Sequence, residues 1–79
     1  MLEPIATIEK NTREDVRVGL DVWRGKNLVD VRTFSDRSGD RVGDRYATKK
    51  GVTLRIEKLP SLIAALQQAR DEAIRQGLF

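Results

Sequence analysis

From Asp15 to Phe34 the chain reads DVRVGLDVWRGKNLVDVRTF, and the phase of this stretch decides the fold. Val16, Val18, Leu20 and Val22 alternate with Arg17, Gly19, Asp21 and Trp23. Successive side chains of a strand point to opposite faces, so such alternation marks a strand with one face covered and one face wet. Arg24-Gly25-Lys26-Asn27 is a short glycine-containing connection of the kind that closes a hairpin. Leu28 to Phe34 is the return strand. Val29, Val31 and Thr33 share one of its faces, and Leu28, Asp30, Arg32 and Phe34 share the other.

On the N-terminal side, Asn11-Thr12-Arg13-Glu14 reads as a turn and residues 5–10 as a short first strand. On the C-terminal side, residues 35–46 (SDRSGDRVGDRY) form a polar loop with two glycines. A fourth strand is expected from Lys49 to Ile56, with Val52, Leu54 and Ile56 in phase. Gly51 there signals a bulge or a close approach of backbone. Leu59, Leu62, Ile63, Leu66, Ala69 and Ala73 then recur at 3–4 spacing, which predicts a helix with one apolar stripe. Pro60 suits its first turn and Gly77 its end. The predicted class is α+β in the order ββββα, a single domain over residues 1–79 with its core at about 5–76. The helix is expected to cover the valine face of an antiparallel sheet and to leave the other face open. A two-layer fold of 79 residues leaves part of the helix stripe uncovered, which is a physical motive for a homodimer. Its expected interface is Leu59, Leu62, Ile63, Leu66, Ala69 and Ala73.

The composition bounds the function. With no cysteine and no histidine, the chain lacks disulfides, thiolate metal sites, the commonest metal ligand and the usual general base. Ser35, Ser38 and Ser61 have nothing to activate them. Asp36, Asp40 and Asp44 recur every four residues, but Gly39 and Gly43 argue against a helix there and the spacing is not that of a calcium loop. The expectation is a non-enzyme with no metal and no cofactor. No stretch approaches the ~20 apolar residues of a membrane span, and a cytoplasmic protein is expected, associated with the nucleoid if the source is bacterial. The net charge of +3 lies entirely in residues 35–58, which hold seven Lys/Arg against four Asp/Glu. Such a local excess fits an anionic partner, although a solvated loop in a basic protein accounts for it as well.

Two of the chain's four aromatic residues, Trp23 and Phe34, fall in the polar set of the sheet, beside arginines and lysines. Aromatic rings among cations on an open sheet make a platform for unpaired bases, with the cations holding phosphates. Each residue also has a plainer reading. Trp23 can fold over the hairpin onto Leu28, Phe34 can plug the sheet edge, and Arg32 can pair with Asp30 or Asp21 to little energetic effect. The ordered set VGLDVWRGK (18–26), LVDVR (28–32) and KKGVTL (49–54), followed by the helix, resembles the transcriptional coactivator family named after Positive Cofactor 4 (PC4), in its compact bacterial form. The resemblance implies a curved four-stranded sheet, a homodimer packed largely through helices, and sequence-independent binding of single-stranded DNA. By this resemblance Trp23 stacks bases, and Arg24, Lys26, Arg32, Lys49 and Lys50 contact the strand. Arg17, Phe34, Arg45 and Arg55 complete the candidate surface. Phe34 stands near the place where animal members carry a second large aromatic. RNA and the transcription machinery are further candidate partners; a membrane is not. The alternative is a protein-interaction module that receives a peptide or partner protein on the open sheet face.

Overall fold

A computed structural model describes residues 4–36 and 45–79. The remainder of the polar loop, with Asp40, Asp44, Arg37 and Arg41, lies outside the described residues. Four strands follow one another: β1 (Pro4–Glu9), β2 (Glu14–Trp23), β3 (Lys26–Asp36) and β4 (Arg45–Arg55). They pair in sequence order, each antiparallel to the next. A 3-10 turn (Ile56–Lys58) leads directly into α1 (Leu59–Arg75).

The β2–β3 hairpin has an unbroken register from Glu14↔Ser35 to Trp23↔Lys26. Its turn is therefore two residues, Arg24 and Gly25, with φ of 51° and 73°. Positive φ at both central positions is the turn whose twist matches paired strands. Gly25 takes that conformation freely, whereas Arg24 adopts it against its side chain. At the other end, the Asn11 side-chain oxygen accepts the N–H groups of Arg13 and Glu14 at 2.9 and 2.8 Å, which closes the β1–β2 turn.

Three expectations need correction. Ser35 and Asp36 belong to β3 and Arg45 and Tyr46 to β4, so both strands run further into the polar segment than alternation shows. Ile56 sits in the 3-10 turn and not in β4. Lastly, the helix does not lie against the sheet. None of its residues is buried, and its main neighbour is the turn that precedes it. The reason is the connection. β4 passes into helical geometry with no loop long enough to fold α1 back over the valines. The radius of gyration, 14.7 Å, reflects this; about 11.6 Å is expected for a compact domain of this length.

Both apolar surfaces are consequently short of cover. On the valine face Val29 is buried, but Leu20, Val22 and Val52 remain exposed, Val22 by 56%. On the helix, Leu59, Leu62 and Ala73 are half-buried, while Ile63, Leu66 and Ala69 are exposed, Leu66 by 62%. Ile74 is exposed too. It extends the stripe, eight residues beyond Leu66, a spacing available in the sequence.

Candidate nucleic-acid interface

The polar face carries Asp15, Arg17, Gly19, Asp21 and Trp23 from β2, and Lys26, Leu28, Asp30, Arg32, Phe34 and Asp36 from β3. Opposite these on β4 stand Arg55, Thr53, Gly51, Ala47 and Arg45. Between Gly51 and Ala47 the register slips. Thr48, Lys49 and Lys50 stand against Thr33 alone. A slip of two residues preserves the face, so Ala47 and Arg45 stay on the polar side with Phe34 and Asp36. Thr48 anchors the bulge by donating from its hydroxyl to the Thr33 carbonyl at 2.8 Å and accepting the Lys50 N–H at 3.2 Å.

Gly51 answers to both of its readings, bordering the bulge and marking a close approach of backbone. Its φ is ordinary, but a Cβ there would lie 2.5 Å from the Val31 carbonyl oxygen and 2.9 Å from the Arg32 Cα. Glycine is required because β3 and β4 come too close for any other residue.

At the hairpin end, Trp23 is 58% exposed, and the Arg24 guanidinium lies 4.5 Å from its ring centroid. The ring is not folded away onto the sheet. Lys26 stands directly across from it. Lys26, Lys49 and Arg55 are exposed and make no ion pair among the described residues. Lys50 is exposed as well, and its charge reaches Glu14 on the valine side, whose carboxyl is held below its ordinary value chiefly by Asn11, with Lys10 and Lys50 adding to it. Of the two lysines, Lys49 is therefore the one on neutral ground.

The three remaining arginines are engaged otherwise. Arg17 donates to Asp15 through Nε at 2.8 Å and Nη2 at 3.3 Å, and its guanidinium lies 4.2 Å from the Phe34 ring centroid. Arg32 is held by Asp30, with Nε 3.0 Å from Oδ2 and Nη2 2.9 Å from Oδ1. Arg45 donates to Asp15 at 2.8 Å, to Asp36 at 2.9 Å and to the Thr12 carbonyl at 3.1 Å, tying β2, β3, β4 and the first turn together. Asp15 and Asp30 are both buried. The Arg17 hydrogen bond, helped by Arg45, keeps the Asp15 carboxyl below its ordinary value against the effect of burial. At Asp30 burial pushes upward, but Arg32 and Thr53 more than offset it. The carboxylates raise Arg32 and Arg45 correspondingly. Trp23, Arg24 and Lys26 are thus grouped at one end of the face. Arg17, Phe34, Arg32 and Arg45 form a paired layer through its middle and far end. Asp30, which the sequence offered as a partner for Arg32, holds that layer together with Asp15, Thr48 and Thr53, which it did not single out. The signal for the carboxylates was present: Asp-x-Arg occurs at 15–17 and again at 30–32, a spacing that puts both groups on one face of a strand.

This fold is that of a known family. The family model described as Transcriptional Coactivator p15 (PC4) matches residues 10–65. The crystal structure of a PC4 homologue from Burkholderia pseudomallei K96243 is similar at 32% identity, with a TM-score of 0.77 over 86% of this chain and 88% of that one. Its tetragonal form gives a TM-score of 0.76, covering 96% of that chain. A bacteriophage T5 homologue of the eukaryotic coactivator, implicated in recombination-dependent DNA replication, shares the fold with a TM-score of 0.67 at 19% identity, covering 92% of this chain and 84% of that one. A mitochondrial DExH-box ATP-dependent RNA helicase of Arabidopsis thaliana is 36% identical over 74 residues, 87% of this chain, and the chain spans only 9% of that helicase's length. The chain belongs to the PC4 family of transcriptional coactivators.

Proposed function

We propose that the protein binds single-stranded nucleic acid without sequence preference, as a homodimer and without catalysis, in a coactivator-like role at unpaired stretches of DNA. Family membership supports nucleic-acid binding. The observation that carries the finer reading is the exposed Trp23 ring with Arg24 against it and Lys26 across from it, on a face whose outer cations Lys49 and Arg55 have no partner among the described residues. A ring open to solvent beside cations stacks a base and fixes the adjacent phosphate, and duplex DNA hides the base faces that such a ring needs. The exposed stripe Ile63, Leu66, Ala69 and Ile74, continuous with the half-buried Leu59, Leu62 and Ala73, supports helix-to-helix pairing of two copies.

Trp23 is the sole tryptophan, so its fluorescence reports directly. Oligo-dT is expected to quench it, less so as salt rises, because phosphate contacts release counterions. In gel shifts, single strands are expected to bind ahead of duplex, and Trp23→Ala and Lys49→Ala/Lys50→Ala to weaken binding while the fold is kept. Unchanged fluorescence with micromolar oligo-dT at low salt returns the open face to the peptide-binding alternative. RNA oligonucleotides in the same assay decide whether ribose is accepted.

A further inference from the structure

Arg32 occupies the centre of the polar face, where a phosphate contact would be the simple expectation for an arginine. Its hydrogen bonding speaks against that use. Nε and Nη2 are taken by Asp30, Nη2 also by the Thr53 hydroxyl at 3.1 Å, and Nη1 by the Thr48 carbonyl at 3.1 Å. Thr53 in turn donates to Asp30 at 2.5 Å, which locks the carboxylate. A guanidinium donates only in its own plane, so these partners on three sides fix the plane. What lies below is Gly51. A Cβ built on it would be 3.1 Å from the Arg32 Cζ, with no guanidinium nitrogen nearer. The carbon can be approached in that way only across the flat face of the group, because in the plane the nitrogens would be met first. Arg32 therefore lies flat on Gly51, with one π-face down and the other toward solvent, its side chain 21% exposed. Arg17, directly across the strand pair, is arranged alike: two in-plane bonds to Asp15 and one face against Phe34.

We infer that Arg32 serves unpaired bases as a stacking plane and does not serve phosphates as a charge, with Asp30, Thr53, Thr48 and Gly51 as its positioning residues. The inference rests on the single-strand reading above and assigns a polarity to it. Bases lie inward over the paired arginines, and the phosphodiester backbone runs outward along Arg24, Lys26, Lys49 and Arg55. Arginine planes are established stacking partners of splayed bases. Asp30 contributes twice, by engaging the in-plane donors of Nε and Nη2 and by offsetting the charge that would draw a phosphate inward.

The test compares wild type with Arg32→Lys, which keeps the charge and loses the plane. Each is titrated with oligo-dT and with an abasic phosphodiester of equal length, over a range of salt. Folding is followed by circular dichroism and thermal melting. Arg32→Lys is expected to lose about 5-fold or more on oligo-dT, the scale of one lost base stack. It is expected to match wild type on the abasic strand and to leave the slope of log K against log salt unchanged. A phosphate role predicts the reverse: lysine holds the affinity, and Arg32→Gln lowers the slope by about 0.7. Should Arg32→Lys fold poorly, Thr53→Val removes one in-plane bond at an exposed position. It is expected to show the same selective loss on oligo-dT, and an equal loss on both strands would overturn the inference. If wild type binds oligo-dT and the Arg32 variants bind it equally well, the stacking role falls and the function stands. If wild type binds neither strand, both fall together.

Discussion

The two faces of the sheet have solved the same problem differently. The polar face is self-sufficient: Asp15 and Asp30 are buried, each paired with arginine, and no buried side-chain polar atom among the described residues lacks a partner. The valine face is not. Val29 is its only buried apolar side chain among the described residues, and α1, whose stripe would cover it in a two-layer fold, points elsewhere. The difference teaches which surface needs a partner for stability and which one can afford a partner for function. A face that already satisfies its own charges can gain and lose a ligand without unfolding. A face short of apolar cover gains stability when something covers it.

The contrast can be broken in four ways, taken from the largest effect down. Ile63→Glu/Leu66→Glu places charge on the exposed helix stripe. Sedimentation is expected to show a dimer become a monomer. The apparent stability lost is about 2.7 kcal/mol for protein at a hundredfold over the dimer dissociation constant. An unchanged sedimentation coefficient would move the uncovered surface's partner away from α1. Gly51→Ala drives a Cβ into the Val31 carbonyl and under Arg32, and a loss of about 1–3 kcal/mol is expected in urea unfolding, the cost of overpacking.

Asp30→Asn tests the self-sufficiency of the polar face, with a cost of about 1–2 kcal/mol at neutral pH. Because Asp30 and Asp15 both titrate below the reference value of 3.8 in the folded protein, their contribution is complete above that pH and fades as pH falls through the folded values. Wild-type melting temperature is therefore expected to be flat near neutrality and to drop on acidification below about pH 4. Asp30→Asn should drop less steeply, with Asp15 supplying the remaining dependence. The smallest effect is at the turn. Arg24→Asn relieves a positive φ that Asn tolerates better, and about 0.5 kcal/mol of added stability is expected by calorimetry. Trp23 quenching by oligo-dT should fall in the same variant, since the cation beside the ring is gone.

Much of this was legible in the residues. Alternation over Val16–Trp23 and Leu28–Phe34 located the central hairpin, 3–4 spacing located α1, and the order of short motifs pointed to the family. The N-terminal half of β4 was not legible, because three residues bulge against Thr33 and polar side chains surround it. Nor was the direction of α1. A stripe states that a helix buries one side, not what it buries it against. At the site, Trp23, Arg24 and Lys26 came together as a cluster because a two-residue turn allows no other arrangement. The arginines looked alike in the sequence. Only the placement of Asp15, Asp30 and Asp36 separates those with carboxylate partners from Lys49 and Arg55 without them.

The strand order β1-β2-β3-β4 has a kinetic corollary. β2, β3 and β4 each pair with the strand synthesised just before, so the sheet closes through neighbouring hairpins at low contact order, the condition for rapid folding. The helix comes last along the chain and adds nothing to those pairings. A single copy can thus complete its charged face, Arg32 laid on Gly51 included, before it meets another molecule.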